Sequence, residues 1–277
     1  MPSVLGVDLG ATNLRVALGD GHGAIAGRVD APVPTTGEAL AAAVAAAARS
    51  LGEPVRAAVG VPGIPDGDGF AGLIAGAAGL TGAPLRRLLE DALQVPVTFE
   101  NDLNLAALAE QRDRGVSDLA FIGVGTGVGM GIVAGGRLVR GASGAAGELG
   151  WLPTADQVVA PLGELGPLEV PASGAGLAAR WRTGTARDVF AAADRGDARA
   201  AALLADQAAA LATAIRAVQA LLDPRVIVLG GGIGCRPGVV ERVREALVAH
   251  GAPAPPVEVS RLGEDAGLLG ALALAAS

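Results

Sequence analysis

Four short stretches of this chain carry the residue types that phosphate and proton chemistry use. In Asp8-Leu9-Gly10-Ala11-Thr12-Asn13, glycine lets backbone approach an anion without a side-chain clash. Thr12 and Asn13 supply short donors there, and the carboxylate of Asp8 can hold a hydrated magnesium ion. Gly125-Thr126-Gly127-Val128-Gly129 repeats that form, and Gly230-Gly231-Gly232 is a third place where backbone can lie flat against a ligand such as a purine base. In Glu100-Asn101-Asp102, with Asn104 beyond, Asp102 can take a proton from a hydroxyl while Asn101 orients the molecule that carries it. Each stretch also has a plainer reading. The glycine segments are ordinary turns, and Asp102 has the chemistry of a helix N-cap.

The elements around these stretches must place them. Residues 4–8 read as an apolar strand that turns through Gly10 into a second strand at 14–18, a hairpin rather than the strand-to-helix step of a dinucleotide fold. Residues 37–51 read as a helix, 55–61 as a strand stopped by Pro62-Gly63, 85–93 as a helix and 95–99 as a strand. Polar residues 100–102 then follow a strand's C-terminal end, where open α/β sheets keep their ligands. A helix over 103–111, a strand over 119–124, the Gly-Thr turn and a strand over 130–134 make a second hairpin of the same form. Two such hairpins predict a duplicated architecture with a nucleotide held by its halves. Residues 191–222 read as one or two long helices, 226–229 as a strand opening into the glycine triplet, and 238–250 as a helix. A rigid linker at 252–256, a strand over 257–260 and a closing helix over 264–276 complete the α/β pattern.

Composition narrows the chemistry further. With 277 residues, the chain is long enough for one large domain or two modest ones. All 21 basic residues are arginine, which excludes Schiff-base chemistry, pyridoxal enzymes and a P-loop lysine. One cysteine, Cys235, and two histidines, His22 and His250, cannot assemble a Cys-rich zinc site or a disulfide framework, and a reducing cytoplasmic home is the expectation. A net charge of -7 with scattered arginines argues against a nucleic-acid face. The start of the chain lacks the basic region of a signal peptide, and charge interrupts the Ala-rich runs before the roughly 18 residues that span a bilayer. No membrane partner is expected.

The ordered series DLGATNLRVAL, VGVPG, FENDLNLAALAE, GVGTGVGMGI, GAAGELG, LEVPASG and VIVLGGGIG resembles the ROK family of sugar kinases and sugar-responsive repressors, from residue 4 to beyond residue 260. The resemblance implies a two-domain actin-like ATPase fold, each domain on a ribonuclease H-like core, closing over ATP. It suggests a small N-terminal domain at 1–101, completed by the helix at 264–277, and a larger one at 102–263. Asp8, Gly10, Thr12 and Asn13 match the first phosphate loop, and Gly125, Thr126 and Gly127 the second. Gly231 and Gly232 match positions near the adenosine. Asp102 matches the catalytic base, with Gly63, Asn101, Glu148 and Glu169 among the sugar contacts. Each glutamate also has a plainer reading as a solvated loop residue.

Three departures bear on the sugar. Trp151 stands where the family has the histidine of E-x-G-H, residues 152–168 contain none of the zinc-loop cysteines, and the Asn of the family's N-L segment is replaced near Gly79-Leu80. The resemblance therefore implies ATP and magnesium but no zinc. Each lost partner to a sugar hydroxyl costs roughly 1–3 kcal/mol. Trp151 either stacks on an apolar sugar face or fills the volume left by zinc and histidine. The leading expectation is ATP-dependent phosphorylation of a hexose or related sugar, glucokinase-like, with Asp102 as base and Asp8 positioning magnesium. Rival expectations are a non-catalytic sugar or nucleotide binder and a polyphosphate-dependent glucokinase, whose relatives also lack the zinc loop. Asp8 lies too near the start to leave room for a repressor's helix-turn-helix, and relatives are often dimers.

Overall fold

Every residue of the first strand, β1 (Val4–Leu9), is buried, because helices cover both faces of its sheet. Leu5, Val7 and Leu9 pack with Leu40 and Val44 of α1 (Gly37–Leu51) and Leu85 and Leu89 of α2 (Leu85–Leu93). Val4 belongs to the opposite cluster, with Leu105 of α3 (Asp102–Arg114). β1 pairs antiparallel with β2 (Asn13–Gly19), which pairs antiparallel with β3 (Ile25–Pro32). On its other side β1 pairs parallel with β4 (Ala57–Val61). A short ribbon of β5 (Ile64–Asp66) and β6 (Gly69–Ala71) follows, and β7 (Val97–Asn101) closes the main sheet parallel to β4, in the order β3-β2-β1-β4-β7.

The computed structural model describes residues 2–10, 12–20, 24–71, 78–153, 165–249, 251, 253 and 255–277. The expected turn residue Ala11, the helix end at His250 and parts of the segments 152–168 and 252–256 lie outside them. Contacts divide the chain into a first unit of Met1–Asp113, Gly141–Ala145 and Asp265–Ser277 and a second of Arg114–Arg140 and Ala146–Glu264.

The second unit repeats the sheet. β8 (Leu119–Val124) and β9 (Val128–Ala134) form an antiparallel hairpin, β10 (Arg137–Leu138) adds to it, and β11 (Val226–Gly230) and β12 (Val257–Val259) continue parallel from β8. The order β10-β9-β8-β11-β12 reproduces that of the first unit strand for strand. Its helices are α4 (Glu169–Ala172), α5 (Gly174–Trp181), α6 (Ala186–Asp194), α7 (Ala198–Leu222), α8 (Gly231–Gly234) and α9 (Val239–Ala249). Leu204, Leu211 and Ile215 of α7 join Ile122, Ile227 and Val243 in its core. The last helix, α10 (Ala266–Ala275), returns to the first unit and buries Leu268 and Leu272 against β1 and α3.

Some expected elements shift, for local reasons. The strand expected over 95–99 runs from 97 to 101, since Pro96 cannot donate to a ladder. Glu100 and Asn101 are therefore its last two residues, not residues beyond it. The glycine triplet is not a flat turn: Gly230 ends β11 and Gly231 starts α8. The stretch 191–222 is divided at Gly196, whose φ is +86°, and Asp197 caps α7 by accepting from the Ala200 N–H at 2.9 Å. α7 is also long and apolar enough, by length and composition, to cross a membrane, contrary to the expectation that charge prevents this; half of that apolar window is buried.

The α10–α3 contact depends on Gly270. A Cβ there would stand 2.0 Å from the Leu105 carbonyl oxygen. Gly270→Ala is expected to destabilise the protein by about 1–3 kcal/mol through overpacking, despite alanine's better helix propensity. A denaturant midpoint equal to that of the unmodified protein would show the helices able to separate at no cost.

Candidate active site

The first glycine hairpin is built by ladder register. Asp8 and Arg15 are directly opposed across β1 and β2, and Arg15 Nη1 donates to Asp8 Oδ2 at 3.0 Å. Asp8 is buried; burial pushes its carboxyl above the usual range, opposed by the hydrogen bond and charge of Arg15. Gly10 N–H donates to the Asn13 carbonyl at 3.0 Å and closes the turn, leaving Thr12 and Asn13 exposed. Among the described residues, no three His, Cys, Asp or Glu side chains gather as a metal site. A lone carboxylate fits magnesium only as an ion carried by phosphates and water, which is how this ion usually meets proteins.

The Glu100-Asn101-Asp102 corner belongs to the same unit. Asn101 Oδ1 accepts the N–H groups of Leu103 at 2.9 Å and Asn104 at 3.1 Å, so Asn101 caps α3, and Asp102 is the helix's first residue. Asn101 Nδ2 donates to the Gly63 carbonyl at 3.1 Å, which ties the Pro62-Gly63 turn to the corner. Gly63 has φ +136°, a backbone conformation other residues rarely adopt. Asp102 Oδ1 accepts the Leu103 N–H at 2.8 Å. Glu100, almost wholly buried, accepts from the Asn101 N–H at 3.0 Å and from Asn104 Nδ2 at 2.9 Å through one oxygen.

The second unit carries the other glycine turn. The N–H groups of Gly174 and Ala175, at the start of α5, donate to the carbonyls of Gly125 at 2.8 Å and Thr126 at 3.1 Å. In a trans peptide the N–H points opposite its carbonyl, so the Thr126 and Gly127 N–H groups face away from α5, as an anion loop requires. Glu169 does not lie free in solvent: its two oxygens accept the Val128 and Gly166 N–H groups, each at 3.0 Å. A Cβ on Gly127 would meet Glu169 Oε1 at 2.5 Å, so the carboxylate lies directly against the turn.

Glu148 precedes a short 3-10 turn, Leu149–Trp151. Although its side chain as a whole is exposed, its carboxyl is pushed up, first by partial burial and then by the charge of Glu169. Trp151 is 61% exposed. An indole that open to solvent presents an apolar face at the surface. Gly231 has φ +79° and packs on the Val124 carbonyl, whereas among the described residues nothing stands within 4 Å of a Cβ at Gly232. The structure thus gathers Asp8, Gly10, Thr12 and Asn13 in one corner of the first unit, and Gly63, Asn101 and Asp102 in another. In the second unit it brings Gly127, Glu148 and Glu169 together. Arg15, Glu100 and Asn104 have no assigned role in the sequence reading. The signal for Arg15 was an isolated charge in an apolar strand whose hairpin register pairs it with Asp8.

The model of the ROK family matches residues 4–277. The chain is 39% identical over 285 residues to the bifunctional enzyme NanE/NanK of Brucella suis, across 99% of this chain and 53% of that protein. The chain thus spans about half the length of that curated relative. An N-acetylmannosamine kinase of Salmonella paratyphi B is 35% identical over 289 residues, covering 99% of this chain and 98% of that protein. A crystal structure of a ROK hexokinase from Thermus thermophilus superposes with a TM-score of 0.85 at 34% identity, covering 99% of this chain and 97% of that one. The repeated sheet order and this superposition agree on the actin-like, ribonuclease H-like fold.

Proposed function

This chain belongs to the ROK family, and from that premise we propose that it is a sugar kinase transferring the γ-phosphoryl group of ATP to a hydroxyl of an N-acetylated hexosamine. The observation that carries the reading is the Asp102 corner, a carboxylate held at the start of a capped helix beside an Asn tied to the Gly63 turn. Asp102 accepts the proton of the attacking hydroxyl, and Asn101 and Gly63 orient the sugar. Backbone N–H groups of the Gly10 and Gly127 turns hold phosphate oxygens, with Gly231 and Gly232 close to the adenosine. That suffices without lysine, since phosphoryl transfer depends mainly on alignment and charge stabilisation. Magnesium carried by ATP, touching the protein through Asp8, would neutralise phosphate charge.

The choice of sugar rests on Trp151 and the relatives. Glu148 and Glu169 accept sugar hydroxyls in this reading, and the exposed indole offers an apolar face where the family pattern has a histidine. A 2-acetamido group brings a methyl to such a face, and relatives of similar sequence are named as N-acetylmannosamine kinases. Glucose is the second reading, favoured by the likeness to a ROK family glucokinase from Streptomyces griseus solved with glucose and AMPPNP.

A coupled ADP-release screen of hexoses, amino sugars and N-acetyl sugars tests the proposal, with polyphosphate in place of ATP as a second donor. Turnover with ATP, greatest for a 2-acetamido sugar, is expected; no turnover with any sugar favours a binding protein without catalysis, and turnover with polyphosphate alone changes the donor. Trp151→Ala should raise the sugar KM several-fold, about 1 kcal/mol of lost contact, while stability stays within about 0.5 kcal/mol because the side chain is exposed. Unchanged KM would remove the indole from the sugar site.

A further inference from the structure

We infer that Glu100 and Asn104 are a buried positioning pair that fixes the geometry of Asp102; the inference rests on the reading of Asp102 as the base. Asn101 already caps α3 through Leu103 and Asn104, so an ordinary helix start needs nothing more. Yet Glu100 is 3% exposed and Asn104 2%, a carboxyl and an amide withdrawn from water at a cost that apolar residues would not incur. Glu100 Oε1 accepts both the Asn101 N–H at 3.0 Å and Asn104 Nδ2 at 2.9 Å. Among the described residues Asn104 Oδ1 is buried with no hydrogen-bond partner, a second cost at the same place.

These bonds close a ring over five residues. Glu100 grips the residue before Asp102 by its backbone and the residue two beyond it by its side chain, while Asn101 grips the N–H groups of Leu103 and Asn104. Asp102 sits in the middle, and its backbone cannot rotate without breaking one of them. Gly60 of β4 lies against the same corner: a Cβ there would meet Leu105 Cδ1 at 2.8 Å and stand 3.8 Å from the Asp102 Cα. Local rules broken without a gain in capping mark sites shaped by function rather than by stability.

The test compares Glu100→Ala, Glu100→Gln and Asn104→Leu with the unmodified protein and Asp102→Asn, by steady-state kinetics and thermal unfolding. Glu100→Ala and Asn104→Leu are expected to lower kcat about 10–100-fold with the sugar KM changed less than about 3-fold, as a misplaced rather than a missing group does. Glu100→Gln keeps an oxygen for both N–H donors and is expected to recover most of the loss. Asn104→Leu should melt within a few degrees of the unmodified protein, because it also removes the unpaired carbonyl; it decides the matter if Glu100→Ala does not fold. A folded Asn104→Leu protein with unaltered kcat, or one changed in KM alone, overturns the pair while leaving Asp102 in place. An inactive unmodified protein, or an Asp102→Asn protein as fast as it, overturns the base and the pair together.

Discussion

Asp102→Asn is expected to lower kcat by about 10²–10⁴-fold, the range over which positioned bases contribute, with the protein's fold intact. The amide keeps an oxygen for the Leu103 N–H, the bond Asp102 makes at 2.8 Å, and Asn101 continues to cap α3. What is lost is only the capacity to take a proton. Calorimetry should therefore find sugar and nucleotide binding little altered while ADP release in the coupled assay collapses. A drop of less than 10-fold would mean that the proton leaves by another route, and Asp102 would be a helix residue with no part in the chemistry.

Arg15→Met should have the largest effect on stability. The side chains of Arg15 and Asp8 are only 18% and 11% exposed, and removing one partner of a buried pair typically costs about 3–5 kcal/mol by leaving the other charge uncompensated. The sign of its pH dependence is distinctive. Burial already raises the Asp8 carboxyl above its ordinary value, and Arg15 is the first influence opposing that rise. Without Arg15 the folded-state value rises further, so the folded protein binds a proton that the unfolded chain releases. The variant's deficit is then fully present above its further-raised value and shrinks as pH falls toward the value Asp8 has in the unmodified folded protein. Urea unfolding of both proteins across the acid range checks this; a deficit independent of pH would show that Asp8 is not the group left uncompensated.

The hairpins were legible because their evidence is local. A run of apolar residues ending in Gly10 or Gly125 and resuming at once can only double back. β3 (Ile25–Pro32) is not legible in the sequence, since its pattern alternates between half-buried and exposed positions, an edge strand with little apolar signal. The Glu100 corner was half legible. Polar residues after an apolar run announced a site, but the run's start at Val97 rather than Val95 moved Glu100 and Asn101 into the strand. Which carboxylate is buried and which is first in the helix follows from that shift of register, and no spacing rule supplies it. Glu169 was legible as a residue and not as a contact: its two backbone partners, Val128 and Gly166, lie 41 and 3 positions away and meet it only in the folded unit. Trp151 needed the structure outright, because packing and exposure predict opposite things from the same letter in the sequence.

The most direct test of the proposed activity is to observe the product itself. Phosphorus NMR of a reaction holding purified protein, magnesium, ATP and N-acetylmannosamine, with glucose in a parallel sample, follows the γ-phosphoryl group to its destination. One sugar phosphate is expected for each ADP, formed faster with N-acetylmannosamine than with glucose, and none with Asp102→Asn. ADP accompanied only by inorganic phosphate, or an unchanged ATP spectrum with both sugars, would contradict the proposed activity.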